Sequence, residues 1–345
     1  MTARRAVGRT VLLFAACVAT MQILGGLLGG LLAVLNPAVL AAIRQAVTGG
    51  GDLSAIMGSP ALSQAMGPAI LIGSIVGEAL GIGCFFFLRG QKLVTSDIAT
   101  TVPVGRRWGR LGTAVLLVFT IQFVLSLLTQ LVALTGYDPS SVQSTMLDPI
   151  TGSVWGVLAA VFLLPFFEEL IFRGAILRHL APHGVNFAIV TQAVLFGLWH
   201  LNLYQGLFAV PMGLILGYVA YRFSLKWSYA LHAMNNGFAM LMGLTWMPGW
   251  VAPAIMVAAT IGTVAILVVY RQQVRPLLAE GAPVSPPVPE YVPAMVPGYA
   301  PPPVPGYSPV AAGAPHPFRT GWSSPAFIVV TVVMFALCCV MMLLV

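Results

Sequence analysis

The sequence predicts an all-α polytopic membrane protein, an eight-helix transmembrane bundle plus an isolated C-terminal transmembrane helix. Charged residues make up 7% of the 345-residue chain against 59% hydrophobic, whereas a soluble domain carries about a quarter charged residues. Apolar runs fall at 11–35, 68–88, 113–135, 153–175, 185–204, 205–222, 228–247, 250–270 and 325–345, and crossing about 30 Å of hydrocarbon takes roughly 20 residues. The runs are continuous and do not alternate, which selects helices over a closed barrel.

The first run follows Arg4, Arg5 and Arg9 and exceeds the ~7–15 apolar residues of a secretory signal, so it reads as a signal anchor. "LFAAC", ending at Cys17, resembles a lipoprotein cleavage site, but the chain stays apolar beyond it and a membrane cysteine is the better reading. Cys17, Cys84, Cys338 and Cys339 all fall in expected spans without metal-ligand or redox spacing, so no structural disulfide is expected. Residues 36–67, rich in Gly, Ala and Ser, form the first outside loop. From 276 to 324 the chain turns to Pro, Val, Tyr and Gly, with the near-repeat "VPGYAPPPVPGYSP". Such a stretch favours extended polyproline II and packs no core. The expected organisation is therefore two spans and a basic loop over 1–110, a core over 111–275, a cytoplasmic Pro-rich linker over 276–324 and a membrane anchor over 325–345. The linker is a spacer or a docking site for a proline-reading partner.

The net charge of +7 is distributed by topology. With a cytoplasmic N-terminus, 15 of the 16 Lys and Arg residues fall on the inside and Arg44 alone falls outside. That positive-inside bias supports nine spans, with the C-terminus outside and the bilayer's anionic lipid as the partner of the basic loops. It gives no reason to expect nucleic acid. The expected location is the plasma membrane of a bacterium.

An ionisable side chain at the centre of a span costs about 2.5–3.5 kcal/mol on insertion scales, so each one is a functional candidate. The stretch "FFEELIFRG" places Glu168, Glu169 and Arg173 in the fourth run. Glu169 and Arg173 are four apart with Glu first, the favourable order for an ion pair on one helix face. Glu168 is turned away by one residue and is left for chemistry, as a general base in a partly desolvated site. In "VTQAVLFGLWHLN", His200 follows Phe196 by four. With a turn at "APHG", Glu168 and His200 lie at depths of roughly 18 and 22 Å on an antiparallel hairpin, so they are expected to meet. "SYALHAMNN" puts His232 and Asn236 on one face, with Asn235 beside them. Two imidazoles, a paired carboxylate, a free carboxylate and an amide are the parts of a hydrolytic site open to the cytoplasm. Loop residues His179 and His183 are read as structural, and Glu78 has no assigned role.

Three patterns carry a resemblance: Glu-Glu-x-x-x-Arg at Glu168, Glu169 and Arg173, Phe-x-x-x-His at Phe196 and His200, and His-x-x-x-Asn at His232 and Asn236. In this order on separate spans they resemble the CAAX prenyl endopeptidase and bacteriocin-processing membrane proteases, the CPBP or Abi family, over about residues 110–270. The resemblance implies an intramembrane endopeptidase acting near the cytoplasmic face on a membrane-associated peptide or protein. Glu168 and His200 would activate water, and His232 with Asn236 would stabilise the oxyanion.

Two mechanisms stay open. In one there is no cofactor, and Glu168 deprotonates a water held with His200 while Asn236 and His232 donate to the oxyanion. In the other, Glu168, His200 and His232 bind Zn²⁺. The metal-free form is favoured, because the chain lacks His-Glu-x-x-His and an amide is a better oxyanion donor than zinc ligand. The alternative function is a non-catalytic membrane scaffold or immunity-type protein that keeps the polar pocket for binding. An ion-coupled transporter would also bury Glu and His, yet no internal repeat is present. A transporter makes Glu78→Gln as damaging as Glu168→Gln, whereas a protease makes the second much the worse; comparing the two variants' phenotypes at equal abundance separates the classes.

Overall fold

The computed structural model describes residues 2–49, 60–89, 108–136, 152–242, 247–269 and 317–343. These residues form α1 (Ala3–Val34), α2 (Pro37–Gly49), α3 (Pro60–Arg89), α4 (Trp108–Ala133), α5 (Val154–His183), α6 (Val185–Trp199), α7 (Leu203–Arg222), α8 (Leu225–Met242), α9 (Val251–Val269), α10 (Pro317–Trp322) and α11 (Pro325–Leu343). No strand occurs among them.

Nine of these helices occupy the nine expected segments. Six are long and apolar enough to cross a bilayer: α1, the Ala65–Phe85 part of α3, α4, α5, α7 and α9. α6 and α11 are apolar but shorter, and α8 carries the polar residues Ser228, His232, Asn235 and Asn236. The count of eight plus one is thus not reached on length and apolarity. The boundary between the fifth and sixth runs also differs from expectation. α6 stops at Trp199, Leu201 takes a left-handed backbone (φ 50°), and Asn202 caps α7 by accepting from the Gln205 N–H at 3.2 Å. A left-handed leucine is a strained position that the surrounding packing has to hold.

The helix α5 is central, packed by α1, α3, α6, α7 and α8. It is also irregular, with π-helical turns at Ala159–Leu163 and Leu170–Ile176. Pro165 explains the first of these. The Leu164 N–H bonds the Ala159 carbonyl, in i→i+5 register, and the next donor in that register would be Pro165, which has none. The Ala160 carbonyl is therefore left without a helical partner. Lone π turns inside helices tend to mark functional sites.

The C-terminal helix, set apart from the other spans in sequence, packs against them in space. α11 packs on α1, α6 and α7, and buries Phe327, Met334 and Cys338. The last residues of the expected linker, 317–324, form α10 and a turn on the same surface. Phe318 meets Phe187 edge to face at 5.3 Å, and the Trp322 indole donates to Thr191 Oγ1 at 3.0 Å. Both contacts bury large aromatic area and satisfy the indole donor, which a free anchor would leave unmade. The rest of the expected linker, 276–316, lies outside the described residues. One apolar core cluster runs from Ala6 and Phe14 in α1 through Phe85 in α3 and Phe172 in α5 to Met334 in α11.

The tightest hairpin, α6 with α7, depends on small residues. Side chains are absent where Gly206 passes the Gly197 carbonyl and where Gly213 passes Ala193, and Gln192 donates across the gap to the Gly213 carbonyl at 2.7 Å. Close backbone approach of this kind, with a buried amide as a stitch, drives helix association in lipid. A Cβ on Gly213 would stand 2.9 Å from the Ala193 Cα. Gly213→Val is expected to destabilise the protein by about 1–3 kcal/mol, read as a lowered melting temperature in detergent, whereas Gly109→Ala, facing open space, should leave melting unchanged.

Candidate active site

The site forms where α5, α6 and α8 meet. In α5 the expected ion pair is present: Arg173 Nη1 lies 3.0 Å from Glu169 Oε1, with both side chains buried to 1% exposure or less. Two further groups from α8 complete the shell of Glu169. Ser228 places its hydroxyl 2.6 Å from Oε2, sharing the proton with the Leu216 carbonyl at 3.0 Å, and His232 Nδ1 stands 3.0 Å from Oε1. A carboxylate with this shell is held ionised and immobile. The remaining donors of the guanidinium have no hydrogen-bond partner among the described residues, and instead the Phe196 ring lies under Arg173, 4.3 Å from Cζ to the ring centroid. In a desolvated place such a cation–π contact contributes about 2 kcal/mol, which offsets part of the cost of the buried charge.

Glu168 differs from its neighbour in all these respects. It keeps 12% side-chain exposure, with His232 Nε2 at 3.5 Å from Oε2 and the Trp199 side chain nearby. With Glu169 ionised, His232 carries its proton on Nδ1, so the Nε2 position faces Glu168. The nitrogens' roles follow from the partner of each one. Glu169, His232 and Glu168 thus form a line in which the first residue orients the second toward the third.

The other predicted residues are placed as follows. His200 lies just past the end of α6 and packs edge-on against Phe196, ring centroids 5.1 Å apart. It interacts electrostatically with His232 and Arg173, but no contact among the described residues joins it to Glu168. No hydrogen bond or ion pair joins His200 to Glu168 among the described residues, and the His200 ring packs instead on Phe196, four residues earlier. Phe196 also faces His232 at 5.7 Å, so one ring touches three of the polar candidates. Asn236 donates through Nδ2 to the orphaned Ala160 carbonyl at 3.0 Å. Tyr229 donates to the Phe162 carbonyl at 3.1 Å in the same irregular stretch. Glu78, on α3, is 6% exposed, interacts electrostatically with Glu168 and leaves Oε2 without a hydrogen-bond partner among the described residues.

Among the described residues no group of three or more His, Cys, Asp and Glu side chains is arranged to hold a metal ion. His232 faces Glu169 with Nδ1 and Glu168 with Nε2.

Sequence reasoning missed Ser228, Trp199, Gln122 and Pro165. Ser228 was within reach, since it precedes His232 by four residues and so shares its helix face. Gln122, an amide in the apolar stretch "VFTIQFVLS", donates to Asn235 Oδ1 at 2.6 Å. The meaning of Pro165 needed the observed i→i+5 register.

Residues 150–238 match the family model for Rce1-like, type II CAAX prenyl endopeptidase. This is the family the three motifs resemble, and the matched stretch runs from just before α5 to Phe238 in α8, so it contains all six predicted site residues. The match suggests a membrane protease of the CAAX endopeptidase kind. No curated protein and no solved structure matches the chain.

Removing Arg173 would leave the Glu169 carboxylate buried with its positive partner gone. Arg173→Met is expected to cost about 3–5 kcal/mol, measured as a fall in melting temperature, and Arg173→Met with Glu169→Gln should recover much of that loss. If the double variant melts no higher than the single one, the pair is not what the packing depends on.

Proposed function

We propose that the protein is an intramembrane endopeptidase that hydrolyses a peptide bond near the cytoplasmic face by a Glu168-activated water. The observation that carries this reading is the inequality of the two adjacent carboxylates. Glu169 is saturated by Arg173, Ser228 and His232, while Glu168 remains partly open beside His232. Pairs of titratable groups whose environments differ this strongly are where acid–base roles divide.

In the proposed reaction Glu168 takes a proton from water as the water oxygen attacks the scissile carbonyl carbon. His232, held by Glu169 with its proton on Nδ1, turns the Nε2 lone pair toward Glu168 and accepts from the carboxyl once Glu168 has taken the water's proton, which then passes from Glu168 to the departing amine as the C–N bond breaks. Asn236 has a second Nδ2 hydrogen beyond the one given to Ala160, and it donates to the oxyanion. His200, packed edge-on against Phe196, helps hold the water. No step uses a metal. The substrate class is a membrane-associated peptide or protein, for which a prenylated C-terminal segment, as the family match suggests, is the first choice.

The test works with an unidentified substrate. Peptide termini in membranes of cells making the wild-type protein are compared with those from cells making Glu168→Gln at equal abundance. Termini that depend on wild type are expected, and their yield should fall by at least about 10²-fold in Glu168→Gln and by about 10²–10³-fold in Asn236→Ala. Identical termini, under conditions where deleting the protein has a phenotype, would instead support a binding scaffold.

A further inference from the structure

Four polar groups from three helices form one continuous chain of side-chain hydrogen bonds that ends at the site. Gln122 of α4 donates through Nε2 to Asn235 Oδ1 at 2.6 Å, Asn235 donates through Nδ2 to Asn236 Oδ1 at 3.1 Å, and Asn236 donates through Nδ2 to the Ala160 carbonyl at 3.0 Å. Each amide has one accepting end and one donating end. The direction of the whole chain therefore follows from its last member. Ala160 offers a carbonyl, which only accepts, and that carbonyl is free because Pro165 supplies no N–H. Asn236 must turn its NH₂ toward it, so its oxygen must face Asn235, whose own oxygen must then face Gln122.

We propose that Gln122 and Asn235 are positioning residues that fix the orientation of the Asn236 amide, and with it the one N–H left over for an oxyanion. This rests on the reading of Asn236 as an oxyanion donor. Without Gln122, Asn235 has no donor on its oxygen and is free to turn, and a turned Asn235 would present oxygen to oxygen at Asn236. Asn236 would then be held by Ala160 alone, and its free N–H would sample more than one direction. Another polar contact of the same helix serves as a contrast. Thr120 and Thr263 share a hydrogen bond at 2.9 Å between α4 and α9, but that bond ends there and reaches no site residue. If Gln122 merely fastened α4 to the bundle, the two contacts would be equivalent.

The experiment uses full-length protein in detergent, labelled with ¹⁵N-asparagine, with the side-chain amide resonances assigned from Asn235→Asp and Asn236→Asp. Gln122→Met is expected to shift or double the Asn236 Nδ2 resonances although Gln122 does not touch Asn236, and Thr120→Val to leave them in place. Should Gln122→Met not fold, Asn235→Leu breaks the same chain from α8 and carries the same expectation. Unmoved Asn236 resonances, or equal movement in Thr120→Val, would overturn the proposal. In the second arm, the yield of wild-type-dependent termini should fall roughly tenfold in Gln122→Met, a part of the loss for a missing oxyanion donor, and should fall no further when Gln122→Met is added to Asn236→Ala. A further loss in that double variant would overturn it as well. If wild type makes no termini that Glu168→Gln lacks, the protease reading fails, while the resonance arm still decides whether the amide chain positions Asn236.

Discussion

The buried ion pair of Glu169 and Arg173 is the constraint to which the rest of this bundle is fitted. A guanidinium at 0% exposure in an apolar helix is tolerated when a carboxylate, and here also an aromatic face, replaces its water. Glu169 can serve as that counter-charge only if it stays ionised, and Ser228 and His232 supply the hydrogen bonds that keep it so. One consequence lies outside the pair itself. His232 has to stand against α5 with Nδ1 turned inward, which points its other nitrogen at Glu168. A stability requirement and a site geometry are in this way met by the same imidazole.

A second constraint acts through the backbone. Pro165 stands three residues before Glu168 and removes a donor from α5. Water cannot replace it in the hydrocarbon region, so the orphaned Ala160 carbonyl must find a partner in the protein. The irregular turn and the Asn236 amide are the two halves of that solution. The helix that brings His232 to Glu168 also brings Asn236 to Ala160 and Tyr229 to Phe162, so α8 is held to α5 by residues on both sides of His232.

The aromatic packing ties distant parts of the chain to this place. Phe196 touches Arg173, His200 and His232, and Phe172 packs edge to face against both Phe196 and Trp199. Phe14 of α1 closes the cluster from behind, 6.2 Å from both Phe172 and Trp199. Residues far outside the family match therefore form the back wall of the site, and α11 lies in turn on α1. The N-terminal helix is part of the folded core and more than an address or an anchor.

What the sequence determined by itself was what spacing along a helix can carry. The apolar runs located nine helices, and an i, i+4 separation placed Glu169 with Arg173 on one face, because both depend on local geometry alone. The resemblance to the family was legible for the same reason, since the three motifs are short and local. The relations between helices were decided by tertiary structure. Where α6 stops depends on how the chain turns at Leu201 and packs on α7, so a depth count could not seat His200. That His232 serves Glu169 as well as Glu168, that Ser228 joins them, and that Gln122 reaches Asn236 through Asn235 are contacts between helices many residues apart. The packing of the C-terminal helix on α1 is of the same kind. Hydropathy records that a segment avoids water, and avoidance of water is equally satisfied by lipid or by protein, so only the packing distinguishes them.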